Sequence, residues 1–122
     1  MATILVVDDS GYARRLLRQV LEPLGHAVVE AASGMAGLEA FAVHHPAVVL
    51  LDLTMEDLGG LEVLARLREI DPAARVIVVS ADIQRSTGKQ VAEAGAFRFL
   101  AKPADPEELV EAVNAALAEG SP

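Results

Sequence analysis

Five short runs of apolar, mostly β-branched residues are separated by longer amphipathic runs, and this alternation constrains the chain more than any other feature. Ile4-Leu5-Val6-Val7 stops at Asp8-Asp9-Ser10. Leu16, Leu17, Val20, Leu21 and Leu24 then recur at helical spacing, with Arg14, Arg15 and Arg18 as a solvated face, until Gly25 ends the helix. A weaker strand over 27–31 leads to Ser33, which can cap a second helix to about His44 with Leu38, Phe41 and Met35 inward. Val48-Val49-Leu50-Leu51 is apolar on both faces, as a central parallel strand must be. A Gly59-Gly60 turn opens a third helix, marked by Leu61, Val63, Leu64 and Leu67, which Asp71-Pro72 closes. Val76-Ile77-Val78-Val79 is the fourth strand, 87–94 a short and poorly amphipathic helix, and 97–101 the fifth strand. Asp105-Pro106-Glu107-Glu108 starts the last helix, with Asp105 as cap and Pro106 in the first helical position, running to about Ala118.

Strands alternating with helices of this length predict right-handed crossovers and a parallel sheet covered on both faces. The expected class is α/β, a doubly wound (βα)5 sheet, with residues 1–122 as one domain. With three Phe, one Tyr and no Trp, the core must be aliphatic.

Ligands of such a fold bind beyond the carboxyl ends of the strands. Asp8 and Asp9 follow the first strand, Asp52 the third, Ser80 the fourth and Lys102-Pro103 the fifth. Carboxylates gathered at one edge repel one another and raise one another's pKa, and a divalent cation relieves this. Oxygen ligands without His or Cys select a hard ion such as Mg²⁺. A metal, a lysine, a hydroxyl and a nucleophilic carboxylate are the parts needed for phosphoryl transfer.

The pieces Ile4-Leu5-Val6-Val7-Asp8-Asp9-Ser10, Leu50-Leu51-Asp52-Leu53-Thr54-Met55, Val78-Val79-Ser80-Ala81, and Ala94-Gly95-Ala96 leading to Lys102-Pro103 occur in order on the right strand ends. Together they make the whole chain resemble the response-regulator receiver family, CheY-like and single-domain. The resemblance implies a flavodoxin-like sheet of strand order 2-1-3-4-5. It implies Asp52 as phosphoacceptor, and Mg²⁺ bound by Asp9, Asp52 and the backbone carbonyl of Thr54, with Asp8 assisting through water. Ser80 and Lys102 would bind the phosphoryl group, the Lys102–Pro103 bond would be cis, and Phe99 would take the aromatic switch position. The implied function is a phosphorylation-activated switch of a two-component system, not an enzyme beyond its own phosphotransfer and autodephosphorylation. Its donor would be a sensor histidine kinase or phosphotransfer protein. Its output surface would be the fourth helix, fifth strand and fifth helix, including Lys89, Arg98 and Glu111.

Three departures from the family pattern lie near the site. Glu56 replaces a usual Pro and Gly59 a frequent Asp, so a more flexible, more acidic loop is expected after Asp52. Phe99 lacks the hydroxyl of a Tyr, and Thr54 and Asp82 flank the expected phosphoryl site.

Taken singly, the same residues have plainer readings. Asp8-Asp9-Ser10 alone would be a helix cap, and Asp52 alone an ordinary strand-end turn residue. Ser80 and Lys102 gain meaning only from these partners, and Phe99 stays open between core packing and switch. His26, His44 and His45 lack ligand spacing. Thr87-Gly88-Lys89 lacks the remainder of a phosphate-binding loop.

Eighteen acidic against ten basic residues give a net charge of −8, which disfavours direct binding to nucleic acid or anionic membranes. No cysteine, no leader and no apolar run of about 18 residues point to a cytoplasmic protein. A monomer or weak dimer is expected. The rival readings are a phosphorylation-independent pseudo-receiver, a flavin carrier and a phosphatase. Intact site residues oppose the first, Asp8-Asp9 would repel the phosphate of a flavin nucleotide, and Thr54 stands where a phosphatase would carry its second acid.

Overall fold

The computed structural model describes residues 2–81 and 85–119. The elements run β1 (Thr3–Val7), α1 (Gly11–Leu21), a 3₁₀ turn (Glu22–Leu24), β2 (Ala27–Ala31), α2 (Gly34–His44), β3 (Val48–Leu51), α3 (Gly60–Ile70), β4 (Val76–Ser80), α4 (Arg85–Glu93), β5 (Arg98–Ala101) and α5 (Pro106–Glu119). All strand pairs are parallel and the order is β2-β1-β3-β4-β5, as expected. Among the described residues no helix is long and apolar enough to cross a membrane.

Side chains alternate across the sheet. Ile4, Val6, Leu50, Ile77 and Val79 enter one core with Leu17 and Leu21 of α1 and Leu109, Ala112, Val113 and Ala116 of α5. Leu5, Val7, Val49, Leu51, Val76 and Val78 enter the other with Phe41, Val63, Leu64, Leu67 and Val91. Each fully buried Leu, Ile or Val contributes about 1.5–3 kcal/mol, so the two cores hold the sheet rigid behind its carboxyl edge.

Helix starts follow the capping residues. The Ser10 hydroxyl accepts from Ala13 N, that of Ser33 from Ala36 N, and the Asp105 carboxylate from Glu107 N at 2.9 Å. Gly25 ends the 3₁₀ turn in the left-handed region at φ 91°. The Lys102–Pro103 peptide is cis.

Two expectations need correction. Met35 faces outward, 56% exposed. The buried stripe of α2 is Gly34, Gly37 and Phe41 instead, because the helix lies so close to β1 that a Cβ on Gly37 would meet Val7 at 2.8 Å. Arg14 and Arg18 are not a solvated face, since Glu30 on β2 lies beside α1 and pairs with both. Only Arg15 of the three stands exposed.

Candidate functional site

The topological switch point lies between β1 and β3, where the chain leaves β1 towards β2 on one side and returns to β3 on the other. In doubly wound sheets ligands bind beyond the strand ends at that point. Asp52 N donates to Val7 O at 3.0 Å and Asp8 N to Ala31 O at 3.1 Å, which extends the ladder to the acidic residues. Asp8 and Asp52 are nearly inaccessible, at 2% and 3%, while Asp9 is exposed. One carboxylate oxygen from each of the three lies within 4.8 Å of the others.

Lys102 reaches this cluster from the end of β5. Its Nζ lies 2.7 Å from Asp8 Oδ2 and 3.4 Å from Asp52 Oδ1. Its backbone N–H donates to Ser80 O at 2.9 Å, tying the ends of β4 and β5 together. Ser80 itself is wholly buried at the carboxyl end of β4. Thr54 Oγ1 donates to Asp52 Oδ2 at 3.3 Å. Asp52 Oδ1 is buried with no hydrogen-bond partner among the described residues.

These surroundings displace two pKa values. Burial pushes the Asp52 carboxyl above its ordinary value, and the Asp8 charge adds to this against the opposing pull of Lys102. Burial would lower Lys102, but its hydrogen bond to Asp8 and the charge of Asp52 outweigh that and hold it above the usual lysine range.

The site thus has a crowded set of anionic oxygens, one of them buried and unbonded, and a single lysine beside them. The donor set is all oxygen, and the buried Asp52 Oδ1, ion-paired to Lys102 but without a hydrogen bond, bears a desolvation cost that a further cation would relieve. The residues fit a hard divalent ion of the kind that commonly keeps water and shares a phosphate oxygen.

Of the expected site residues, Asp8, Asp9, Asp52, Thr54 and Lys102 come together, and Ser80 caps the neighbouring strand end. Phe99 is not among them. It is half-buried in the core on the α2–α3–α4 side, with Gly88 of α4 against its ring. Asp82 lies outside the described residues.

Three contributors had no local signal. The loop after Asp52 was expected to be freer, yet Asp57 anchors it by accepting from Gly34 N and Met35 N, both at 3.0 Å. Those N–H bonds hold its carboxyl below the usual range. Arg14 donates from Nε to Glu30 Oε1 at 2.8 Å and from Nη1 to Asp8 O at 2.6 Å. The helical spacing of Arg14 and Arg18 shows a shared face, but which strand meets that face depends on strand order.

Residues 4–114 match the family described as the response regulator receiver domain. The chain is 34% identical over 112 residues to the chemotaxis protein CheY of Thermotoga maritima, covering 91% of this chain and 93% of that one. It is 35% identical over 111 residues to sporulation initiation phosphotransferase F of Bacillus subtilis, covering 91% and 90%. A receiver domain structure from Methanospirillum hungatei superposes with a TM-score of 0.93 at 28% identity, covering 98% of this chain and 96% of that one.

Proposed function

The chain belongs to the response regulator receiver family, and from that premise we propose that it is a phosphorylation switch with Asp52 as its acceptor. The observation that carries this reading is the buried, unbonded Asp52 Oδ1, 3.4 Å from Lys102 Nζ.

In the proposed reaction a carboxylate oxygen of Asp52 attacks phosphorus in a phosphohistidine of a partner kinase or phosphotransfer protein. The P–N bond breaks, its electron pair stays on the imidazole nitrogen, and an aspartyl phosphate forms. Asp9, Asp52 and the Thr54 carbonyl would hold Mg²⁺, with Asp8 assisting through water. When bound, the ion supplies positive charge that offsets the phosphoryl oxygens and the crowded carboxylates. Lys102 supplies a second positive charge at the same oxygens, and the Ser80 hydroxyl offers a donor. The chain promotes only its own phosphorylation and dephosphorylation.

Phosphorylation adds about −1.5 to −2 charges and three acceptor oxygens. Lys102 and Ser80 then gain an interaction absent from the resting state, which biases the segment after β4 and the packing of Phe99. The affected surface is α4–β5–α5, where Lys89, Arg98 and Glu111 are exposed and Arg98 lies 3.3 Å from Glu111. A cytoplasmic protein target would read that face.

Incubation with acetyl phosphate and Mg²⁺, followed by intact mass measurement, tests the reading. One added phosphoryl group is expected, lost with chelator and lost in Asp52→Asn. No labelling of the wild-type chain would overturn it in favour of a phosphorylation-independent module.

A further inference from the structure

We propose that Arg14, locked by Glu30, is a positioning residue that aims Asp9 at the metal. This rests on the reading of Asp9 and Asp52 as metal ligands.

Asp8 is held at each of its polar groups. Its N–H donates to Ala31 O at 3.1 Å, Oδ1 accepts from Ser10 N at 2.9 Å, and Oδ2 accepts from Lys102. The fourth group, the carbonyl, accepts from Arg14 Nη1 at 2.6 Å. That carbonyl belongs to the peptide plane joining Asp8 to Asp9. Asp9 is exposed, and its carboxylate makes no hydrogen bond among the described residues. The backbone sets where its Cα–Cβ bond leaves the loop, and Arg14 holds the plane of the peptide that precedes it.

The guanidinium suits this task because its donors form a rigid fork. Nε meets Glu30 Oε1 at 2.8 Å while Nη1 meets the Asp8 carbonyl. Glu30 is in turn fixed through its other oxygen by Arg18, which also bonds Val28 O at 3.1 Å and Glu22 at 3.0 Å. A chain of contacts thus runs from the edge strand β2 through α1 to the first acidic loop. Its two arginines and two glutamates cancel in charge, so its effect on a cation at the site is chiefly geometric.

Supporting residues behind metal ligands typically alter affinity about 10- to 100-fold when lost. Isothermal titration of the wild-type chain with MgCl₂, beside Arg14→Lys, Glu30→Ala and Glu30→Gln, tests the proposal. Each variant is first shown by circular dichroism to be folded without metal.

Arg14→Lys keeps the charge but cannot span both acceptors, and is expected to weaken Mg²⁺ binding about tenfold. The loss should persist at about 0.5 M KCl, where a pure charge effect is screened. Glu30→Ala should show a similar loss. Glu30→Gln keeps an acceptor for Arg14 Nε but turns a donor towards Arg18, and should lose less affinity than Glu30→Ala. Should Arg14→Lys fail to fold, the two Glu30 variants still decide. Unchanged affinity in Arg14→Lys and Glu30→Ala, or losses that vanish at high salt, would overturn this inference alone. A wild-type chain that binds no Mg²⁺ would overturn the metal reading and this inference together.

Discussion

Lys102 Nζ is hydrogen-bonded to Asp8 Oδ2 at 2.7 Å, whereas Asp52 Oδ1 stands 3.4 Å away, within ion-pair range only. The lysine therefore rests on Asp8 rather than on Asp52. Under the proposed reading a phosphoryl group on Asp52 would draw it from Asp8, and the strength of the Asp8 bond would set part of the threshold for switching.

Removing this lysine should separate metal binding from phosphoryl uptake. In Lys102→Gln a cation beside three carboxylates is gone, and Mg²⁺ is expected to bind more tightly. The rate of labelling by acetyl phosphate should fall at least about tenfold, because transition-state charge loses a partner. Calorimetry and timed mass spectrometry check the two halves. Weaker Mg²⁺ binding together with an unchanged labelling rate would contradict the assignment.

Asp52→Asn should stabilise the metal-free protein at neutral pH. The folded Asp52 carboxyl titrates above its unfolded value, chiefly through burial, so ionising it works against the fold. Its contribution is present below the unfolded value and lost as pH rises through the folded one. The gain in Asp52→Asn is expected at pH 7 and should fade below about pH 4. With Mg²⁺ at about 100 times its dissociation constant, the wild type should gain about 2.7 kcal/mol. The variant should gain far less. Thermal melts with and without chelator measure both effects.

Asp57 should act on the acid side of the stability profile. Its carboxylate accepts from Met35 N and Gly34 N, which depress its pKa in the folded state. A depressed carboxyl contributes stability above its unfolded value, near pH 4, and loses it as pH falls through the folded value. Asp57→Ala is expected to lower stability at pH 7 and to flatten the acid limb of the curve. Urea unfolding as a function of pH decides this, and parallel curves for the two proteins would contradict it.

Gly60→Ala should damage the site without touching a ligand side chain. A Cβ there would stand 2.5 Å from Asp52 O and 2.5 Å from Leu53 Cα, both backbone atoms that cannot rotate away. The loop carrying Thr54 must shift, with an expected cost of about 1–3 kcal/mol. Loss of Mg²⁺ affinity should accompany it. Gly59→Ala serves as control, since a Cβ at that position meets nothing within 4 Å.

Much of this architecture is legible along the chain because burial leaves a periodic trace. Val48–Leu51 is buried throughout, as an unbroken apolar run on a central strand requires. Ser10, Ser33 and Asp105 cap the helices they precede, since capping is settled within a few residues. Met35 misled because periodicity gives an inward face but not how close the neighbouring strand comes. Gly37 lets α2 approach Val7 and so moves the buried stripe round the helix.

The order of residue types alone determined five strands, five helices and an acidic edge able to hold a cation, because strand ends in a parallel sheet must share one rim. Only the tertiary structure decided that Lys102 rests on Asp8, that Glu30 locks Arg14 onto the Asp8 carbonyl, and that Asp57 ties the loop after Asp52 to α2. Each of those contacts joins groups from different elements. Their meeting depends on strand order and on distances of a few ångströms, which no local pattern records.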